Sequence, residues 1–91
     1  MADGWCVYIL HCSDDTLYTG ISNSLERRLA QHNAGTASKY TRVRRPVEVV
    51  FCEQQENKGN ALRREYQIKK LTRLEKLQLI SEYNTEKNSE G

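Results

Sequence analysis

The sequence lacks the features that mark membrane and exported proteins. No apolar run approaches the roughly 20 residues of a membrane-spanning helix. The first residues, Met-Ala-Asp-Gly, offer neither the basic nor the apolar segment of a signal peptide. We therefore expect a cytoplasmic protein that does not enter a membrane. Hydrophobic residues make up 37% and charged residues 29% of the 91 residues, which is typical of one folded domain.

Cysteine is also scarce, and its spacing excludes the usual cysteine-based sites. The chain has Cys6, Cys12 and Cys52, an odd number without a C-x-x-C pair. A disulfide framework therefore has no support, and the cysteines together with His11 and His32 match no common zinc-ligand spacing. All three cysteines fall in predicted strands, so we expect small buried side chains in a reducing compartment.

Apolar patterns predict an α+β fold. Residues 5–12 are typical of a buried central strand, residues 17–21 of its hairpin partner and residues 47–52 of a third strand. Helices are predicted from about residue 24 to 33, 60 to 71 and 73 to 83. The first and last begin with a cap residue three positions before a glutamate, Asn23 and Thr72, and Gly35 marks the end of the first. The order ββαβαα gives a small three-stranded, largely antiparallel sheet flanked by helices. We expect one domain over residues 1–83 and a polar, disordered tail over 84–91.

Positive charge is concentrated in two stretches, although the formal net charge of +2 indicates no particular partner. Residues 36–45 are predicted to form a basic loop, and a second basic group lies within residues 63–76. Both groups suit contact with phosphates, and a solvated surface explains either one equally well. The nucleic-acid contacts that we predict come from these groups: Lys39, Arg42, Arg44, Arg45 and Lys69.

Glu65 stands where an apolar residue is expected. Helical spacing puts it between Ala61 and Ile68 and beside Leu62, in the apolar stripe of its helix. A carboxylate in such a position is unfavourable unless a cation or several hydrogen-bond donors compensate it. The alternative is a glutamate at the edge of the stripe that pairs with Arg64 or Lys69.

The first predicted helix carries a similar pair. Arg28 and His32 are one turn apart and flank the side that Leu25 and Leu29 bury. Each residue alone has an ordinary explanation, since Arg28 suits a surface position and His32 suits a helix C-terminus.

Two tyrosines and a glycine complete the set. Tyr8 and Tyr18 lie on adjacent predicted strands, where tyrosine commonly packs, and Gly20 indicates that another group approaches that strand closely. Two phenols, an arginine, a histidine and one carboxylate together suit phosphodiester hydrolysis, which needs a base for the water and a cation for the phosphate. A single carboxylate suits Mg²⁺ or Mn²⁺, which keep several waters.

In this order the motifs resemble those of the GIY-YIG nucleases, and in particular of their short stand-alone bacterial branch, the YhbQ-like proteins. Cys6-Val7-Tyr8 stands in the place of Gly-Ile-Tyr, and Tyr18-Thr19-Gly20 in the place of Tyr-Ile-Gly. Residues 25–32 look like the family's Arg-x-x-x-His helix, and residues 61–66 like the helix with its metal-binding glutamate. The likeness extends from residue 5 to about residue 80.

The resemblance implies a divalent-metal-dependent nuclease that hydrolyses phosphodiester bonds in DNA. Tyr8 would be the general base or water-orienting phenol, supported by Tyr18. Arg28 would neutralise the phosphate, and His32 would position the nucleophile or share proton transfer. Glu65 would bind one Mg²⁺ or Mn²⁺ ion. As a base, the Tyr8 phenol needs positive charge nearby, which Arg28 and the metal would supply.

Two other functions stay open on the sequence alone. One is a nucleic-acid-binding module of the same fold with weak or no cleavage, and the other is a protein-interaction domain. The complete set of residues favours the nuclease, because a binder has no need of Glu65 in an apolar stripe. We expect nucleic acid as the partner, with no membrane and no obligate protein partner. Many relatives carry an asparagine after the glutamate helix, but the spacing to Asn84 is too long for us to assign it.

Overall fold

A computed structural model describes residues 4–89. Its strands are β1 (Trp5–His11), β2 (Leu17–Ser22) and β3 (Glu48–Gln55). Its helices are α1 (Leu25–Ala34), α2 (Lys39–Arg42), α3 (Lys58–Lys69) and α4 (Arg73–Ser89). In this range no helix is both long and apolar enough to cross a membrane.

The sheet is built around β1, which pairs antiparallel with both neighbours in the order β2-β1-β3. Successive side chains of a strand point to opposite faces. In β1, Cys6, Tyr8 and Leu10 are buried in one core cluster, and Val7 and Ile9 are buried in the other. The predicted α+β fold with an antiparallel sheet is therefore confirmed, and so is the burial of its central strand on both faces.

Helices cover both faces of the sheet. Leu25 and Leu29 of α1 pack in the cluster that contains Tyr8, and α3 and α4 cover the opposite face. In α3, Ala61 and Ile68 are fully buried, whereas Leu62 is 47% exposed. Leu62 was predicted to share the apolar stripe, and this was wrong because helical spacing defines a face only approximately.

Helix ends follow two of the predicted signals. Gly35 ends α1 with a φ of 85°, a left-handed conformation that glycine adopts without strain. At the start of α4, Glu75 accepts from the Thr72 amide at 2.9 Å and Thr72 Oγ1 accepts from the Glu75 amide at 3.2 Å. This reciprocal capping box is the one the sequence predicted. The start of α1 differs, because its cap residue is Ser24, one position after the predicted Asn23, and Ser24 makes no side-chain capping bond.

Three boundaries depart from the sequence predictions. The basic segment 36–45 contains α2, a four-residue helix too short to show apolar periodicity. β3 extends to Gln55, which pairs with Trp5, because backbone pairing continues through polar residues. α4 continues to Ser89, so residues 84–89 are helical rather than disordered, as helix propagation through Glu and Lys is favourable once the helix has formed. Residues 90 and 91 of the predicted tail lie outside the described residues.

The cysteines are free thiols, and Cys6 and Cys12 are almost fully buried. Burial, followed by the neighbouring Cys52, raises the pKa of Cys6 to about 12. Burial also raises the pKa values of Cys12 and Cys52. Cys6 and Cys12 are therefore the small buried side chains that the sequence predicted, whereas Cys52 is only partly buried, and thiols with raised pKa values stay protonated at neutral pH. Among residues 4–89, no three His, Cys, Asp or Glu side chains form a metal-binding cluster.

Candidate active site

A cleft of about 170 Å³ opens where the edge strand β2 meets α1 and α3. Its lining includes every residue to which the sequence assigns a catalytic role, although these residues come from four different elements. The lining residues are Tyr8, Tyr18, Gly20, Ile21, Arg28, His32, Ala37 and Glu65.

Gly20 provides the space in which the Tyr8 phenol lies. The two residues are partners across β1 and β2, and a Cβ at position 20 would lie 2.6 Å from Tyr8 Oη and 2.8 Å from Tyr8 Cζ. These separations are far below van der Waals contact, so any larger residue would displace the ring. The close approach that the sequence predicted at Gly20 is therefore the approach of Tyr8.

A chain of hydrogen bonds leads from the cleft into the interior. Tyr8 Oη lies 2.9 Å from His32 Nε2, and His32 Nδ1 lies 2.8 Å from Thr41 Oγ1. Tyr8 is 2%, His32 1% and Thr41 0% exposed. Thr41 is not among the residues predicted from the sequence, because it lies in a segment predicted to be a loop. Low exposure strengthens these bonds and makes a broken one unfavourable.

Burial governs the protonation of the Tyr8–His32 pair. Burial and the neighbouring Tyr18 raise the pKa of Tyr8, and this outweighs Arg28, which lowers it. Burial, followed by Arg28, lowers the pKa of His32. At neutral pH the phenol therefore keeps its proton and the imidazole is uncharged. From the sequence, positive charge was expected to lower the pKa of Tyr8, but burial raises this pKa by more than Arg28 lowers it.

Charged groups complete the cleft. The guanidinium of Arg28 donates to Gln31 Oε1 at 3.1 Å. The Glu65 side chain is 18% exposed, and its Oε2 lies 3.2 Å from Lys69 Nζ. Glu65 thus makes the pairing with Lys69 that the sequence left open as the alternative. Arg64, the other candidate partner, instead binds the Glu53 carboxylate on β3 at 2.8 Å.

The surroundings of Glu65 suit one hydrated divalent ion. The carboxylate already attracts a cation, the half-exposed ammonium of Lys69. The cleft has room for several water molecules, and Mg²⁺ or Mn²⁺ keeps several waters when one carboxylate holds it. Among the described residues that line the cleft, no second carboxylate is present. The donor set therefore fits an ion with a single protein ligand.

The short helix α2 packs against the residues that line the cleft, and sequence patterns did not predict this helix. The Tyr40 ring stacks on Tyr18 with centroids 5.8 Å apart, and the guanidinium carbon of Arg44 lies 3.8 Å from the Tyr40 centroid. Tyr18 in turn meets the His32 ring edge-on at 5.2 Å. The available signal was Ser38, a residue type that caps helices, but no apolar pattern follows it.

Of the five basic residues predicted to contact nucleic acid, Lys69 pairs with Glu65, and the four in residues 39–45 divide into two groups. Arg44 binds the Asp14 carboxylate at 3.0 Å and a backbone carbonyl at 2.9 Å, and Arg45 donates to two backbone carbonyls at 2.8 and 3.3 Å. Within residues 4–89, the exposed side chains of Lys39 and Arg42 donate to no protein group. Arg44 and Arg45 therefore hold the loop together, and the group available for phosphate contact is Lys39 and Arg42.

Comparison with known proteins identifies the relatives of the chain. Residues 4–87 match the family model of the GIY-YIG catalytic domain. A UPF0213 protein of Clostridium perfringens is 60% identical over 75 residues, which cover 82% of this chain and 81% of that protein. A UPF0213 protein of Staphylococcus aureus is 51% identical over 80 residues, covering 88% and 98% respectively.

Two solution NMR structures share the fold. The UPF0213 protein BH0048 of Bacillus halodurans aligns with a TM-score of 0.56 and 41% identity over 86% of this chain and 83% of that one. A protein from E. faecalis aligns with a TM-score of 0.61 and 37% identity over 90% and 88%. Because the family model spans nearly all of the described residues and the relatives are this similar, the chain belongs to the GIY-YIG family, a nuclease superfamily, alongside the bacterial UPF0213 proteins.

Proposed function

We propose that the protein is a divalent-metal-dependent nuclease that hydrolyses phosphodiester bonds in DNA. The observation that carries the proposal is the convergence of Tyr8, His32 and Glu65 on one cleft with the guanidinium of Arg28. Each residue alone has a structural explanation. Together, however, a buried phenol–imidazole pair and a partly buried carboxylate bring several polar groups to one cleft, and such groups are unfavourable in a core that has no use for them.

The chain's own groups divide the work of hydrolysis. His32 Nε2 is uncharged at neutral pH and lies within hydrogen-bond distance of Tyr8 Oη, so it is available to take the phenolic proton. Tyr8 can then accept a proton from the attacking water in the same step, without a free phenolate. The Arg28 guanidinium is available to neutralise the charge that develops on the phosphate. Tyr18 supports the pair by its edge-on contact with His32.

Glu65 is the proposed ligand of one Mg²⁺ or Mn²⁺ ion, with Lys69 as its competitor for the carboxylate. Such an ion, when bound, supplies Lewis-acid stabilisation of the phosphate charge. The exposed Lys39 and Arg42 are the proposed contacts to the DNA backbone, and Lys69 would be available for a phosphate if Glu65 held the ion instead.

One observation favours the alternative, a nucleic-acid-binding module of the same fold with weak or no cleavage. The Lys69 ammonium already compensates the Glu65 charge, so the carboxylate is stable without a metal. The two functions differ in whether a metal displaces Lys69 and whether DNA is cut.

Glu65→Gln separates these functions, with Glu82→Gln on α4, outside the cleft, as the charge-matched control. Each protein is incubated with labelled single-stranded, duplex, flap and junction DNA in the presence of Mg²⁺ or Mn²⁺. We expect wild type and Glu82→Gln to cut at least one of these forms. Glu65→Gln should bind the same DNA without cutting it, and it should lose Mn²⁺ binding in calorimetry. RNA of the same sequence tests the choice of nucleic acid.

Undiminished cutting by Glu65→Gln, or by wild type in excess chelator, would contradict the one-metal proposal. Binding without cutting by all three proteins would support the binding module instead.

A further inference from the structure

Thr41 has a polar side chain in a fully buried position that the proposed chemistry does not yet use. It lies on α2, where Ser38 caps the helix by accepting from the amides of Tyr40 and Thr41. Its Oγ1 lies 2.8 Å from His32 Nδ1 and 3.4 Å from the Ser38 carbonyl oxygen. A buried hydroxyl is unfavourable unless it is hydrogen-bonded, so both contacts matter for its presence there.

The hydrogens in the hydrogen-bond series Tyr8–His32–Thr41 can be assigned by starting from the Tyr8 hydroxyl. Within residues 4–89, the Tyr8 hydroxyl has His32 Nε2 as its hydrogen-bond partner and no other. Among the described protein groups, only a bare Nε2 can accept its hydrogen. A neutral imidazole carries one N–H, so the hydrogen of His32 is then on Nδ1 and needs an acceptor of its own.

Thr41 Oγ1 is that acceptor, and its own hydrogen can go to the Ser38 carbonyl. This carbonyl already accepts from the Arg42 amide at 3.1 Å, and a carbonyl oxygen has a second lone pair. In the opposite arrangement, Thr41 donates to Nδ1 and Nε2–H points at Tyr8 Oη, which leaves the Tyr8 hydrogen without a protein acceptor. Only the first arrangement gives an acceptor to each of the three hydrogens, those of Tyr8, His32 and Thr41.

We infer that Thr41 is a positioning residue: its buried hydroxyl accepts from His32 Nδ1 and so holds the imidazole with a bare Nε2 facing the Tyr8 hydroxyl. Thr41 touches no reacting atom and acts through His32. A partner that orients a histidine in this way fixes both its tautomer and its ring plane.

The consequence for catalysis rests on the proposed nuclease function. As the water oxygen bonds to phosphorus, one water proton moves to Tyr8 Oη while the phenolic proton moves to His32 Nε2. The bond from phosphorus to the leaving oxygen breaks with its electron pair on that oxygen, which takes a proton from water. His32 later returns its extra proton to solvent. With the other tautomer, Nε2 has no lone pair free and cannot accept the phenolic proton.

Ring-nitrogen NMR of the nitrogen-15-labelled protein, at mildly alkaline pH where the imidazole is neutral, tests the inference without any nuclease assay. We expect His32 to show protonated Nδ1 and bare Nε2. In Thr41→Val the hydroxyl is gone, so a proton on Nδ1 would be buried without an acceptor, and we expect it to move to Nε2. Thr41→Ser keeps the hydroxyl and should restore the wild-type pattern. His11, at the end of β1, is the internal control and should be the same in all three proteins.

A kinetic readout accompanies the spectra. Thr41→Val should lower kcat by roughly 10–100-fold, the usual range for such partners, with KM unchanged, and Thr41→Ser should recover most of it. If wild-type His32 carries its proton on Nε2, the inference is overturned, and this holds even if the Val variant fails to fold. An unchanged tautomer in folded Thr41→Val overturns it as well. The expected tautomers in a protein that cuts no nucleic acid would leave the inference standing and refute the proposed function.

Discussion

At the scale of single residues, Gly20 controls where the Tyr8 phenol can lie. In Gly20→Ala the added methyl carbon would overlap Tyr8 Oη, so the phenol must leave its place beside His32. We expect the single-turnover cleavage rate to fall toward that of a protein without the phenolic hydroxyl, by about 10²–10⁴-fold. The free energy of unfolding should decrease by about 1–3 kcal/mol, the usual effect of overpacking, as measured by urea denaturation.

Gly59→Ala is the matched control for this substitution. Gly59 lies in the first turn of α3, where an added Cβ would meet its nearest neighbour at 3.4 Å, an ordinary contact. Alanine also favours the helix, so the rate should be unchanged and the stability equal or slightly higher. A Gly20→Ala protein with the wild-type rate would show that the position of the phenol is unimportant.

His32 gives the stability of the protein a specific dependence on pH. Burial and Arg28 lower its pKa in the folded protein, whereas the unfolded chain titrates near 6.5. Below about pH 6.5 the unfolded state therefore binds a proton that the folded state does not, and stability falls as the pH falls. The slope contributed by this one proton cannot exceed about 1.4 kcal/mol per pH unit.

We expect His32→Gln to lose this contribution between about pH 6.5 and 5.5, whatever its absolute stability. His11→Gln should keep it. Asp14 and Asp15 do not interfere, because hydrogen bonds to Thr16 and to His11, respectively, lower the pKa values of these carboxyl groups from 3.8. The free energy of unfolding is measured by urea denaturation at each pH. If it changes with pH equally in wild type and His32→Gln, His32 takes up a proton as readily in the folded protein as in the unfolded one.

At the scale of elements, α2 and the residues after it carry two kinds of basic side chain. Lys39 and Arg42 are exposed and available to a ligand, whereas Arg44 and Arg45 bind groups of the protein. Replacing Lys39 and Arg42 with alanine should lower the dependence of DNA affinity on salt by roughly 0.7–0.9 in the log–log slope for each phosphate that the protein no longer binds. Stability should hardly change, since neither side chain donates to the protein within the described residues. Fluorescence anisotropy over a range of salt concentrations measures the slope.

Replacing Arg44 and Arg45 with alanine should give the converse result. These side chains bind Asp14 and backbone carbonyls around α2, so their removal should destabilise the protein by roughly 1 kcal/mol each and leave the salt slope unchanged. A lower slope in this protein, with an unchanged slope in the Lys39 and Arg42 variant, would reverse the assignment.

For the whole molecule, the sequence predicts the fold well because its local signals agree with the tertiary structure. The apolar run of β1 indicates burial on both faces, and Gly35 and the Thr72–Glu75 box mark helix ends that the structure contains. The residues of the cleft were found because polar groups interrupt apolar stripes at the spacing of a known family.

The remaining features depend on contacts that the sequence does not encode locally. α2 is too short for periodicity, and the role of Thr41 exists only because α1 brings His32 against it. Burial has the largest effect on the pKa of Tyr8, and this burial follows from packing against Gly20 rather than from residues next to Tyr8 in the sequence. The roles of Arg44 and Arg45 are likewise set by distant partners.

The single-turnover cleavage rate of Tyr8→Phe tests the central claim most directly. The substitution removes only the hydroxyl that faces His32, and Tyr83→Phe, in the core cluster on the opposite face of the sheet, is the matched control. We predict metal-dependent cleavage of labelled DNA by wild type and Tyr83→Phe at similar rates. Tyr8→Phe should be slower by about 10²–10⁴-fold with unchanged DNA affinity. A Tyr8→Phe protein that cuts DNA at the wild-type rate would contradict the proposed role of the phenol in hydrolysis.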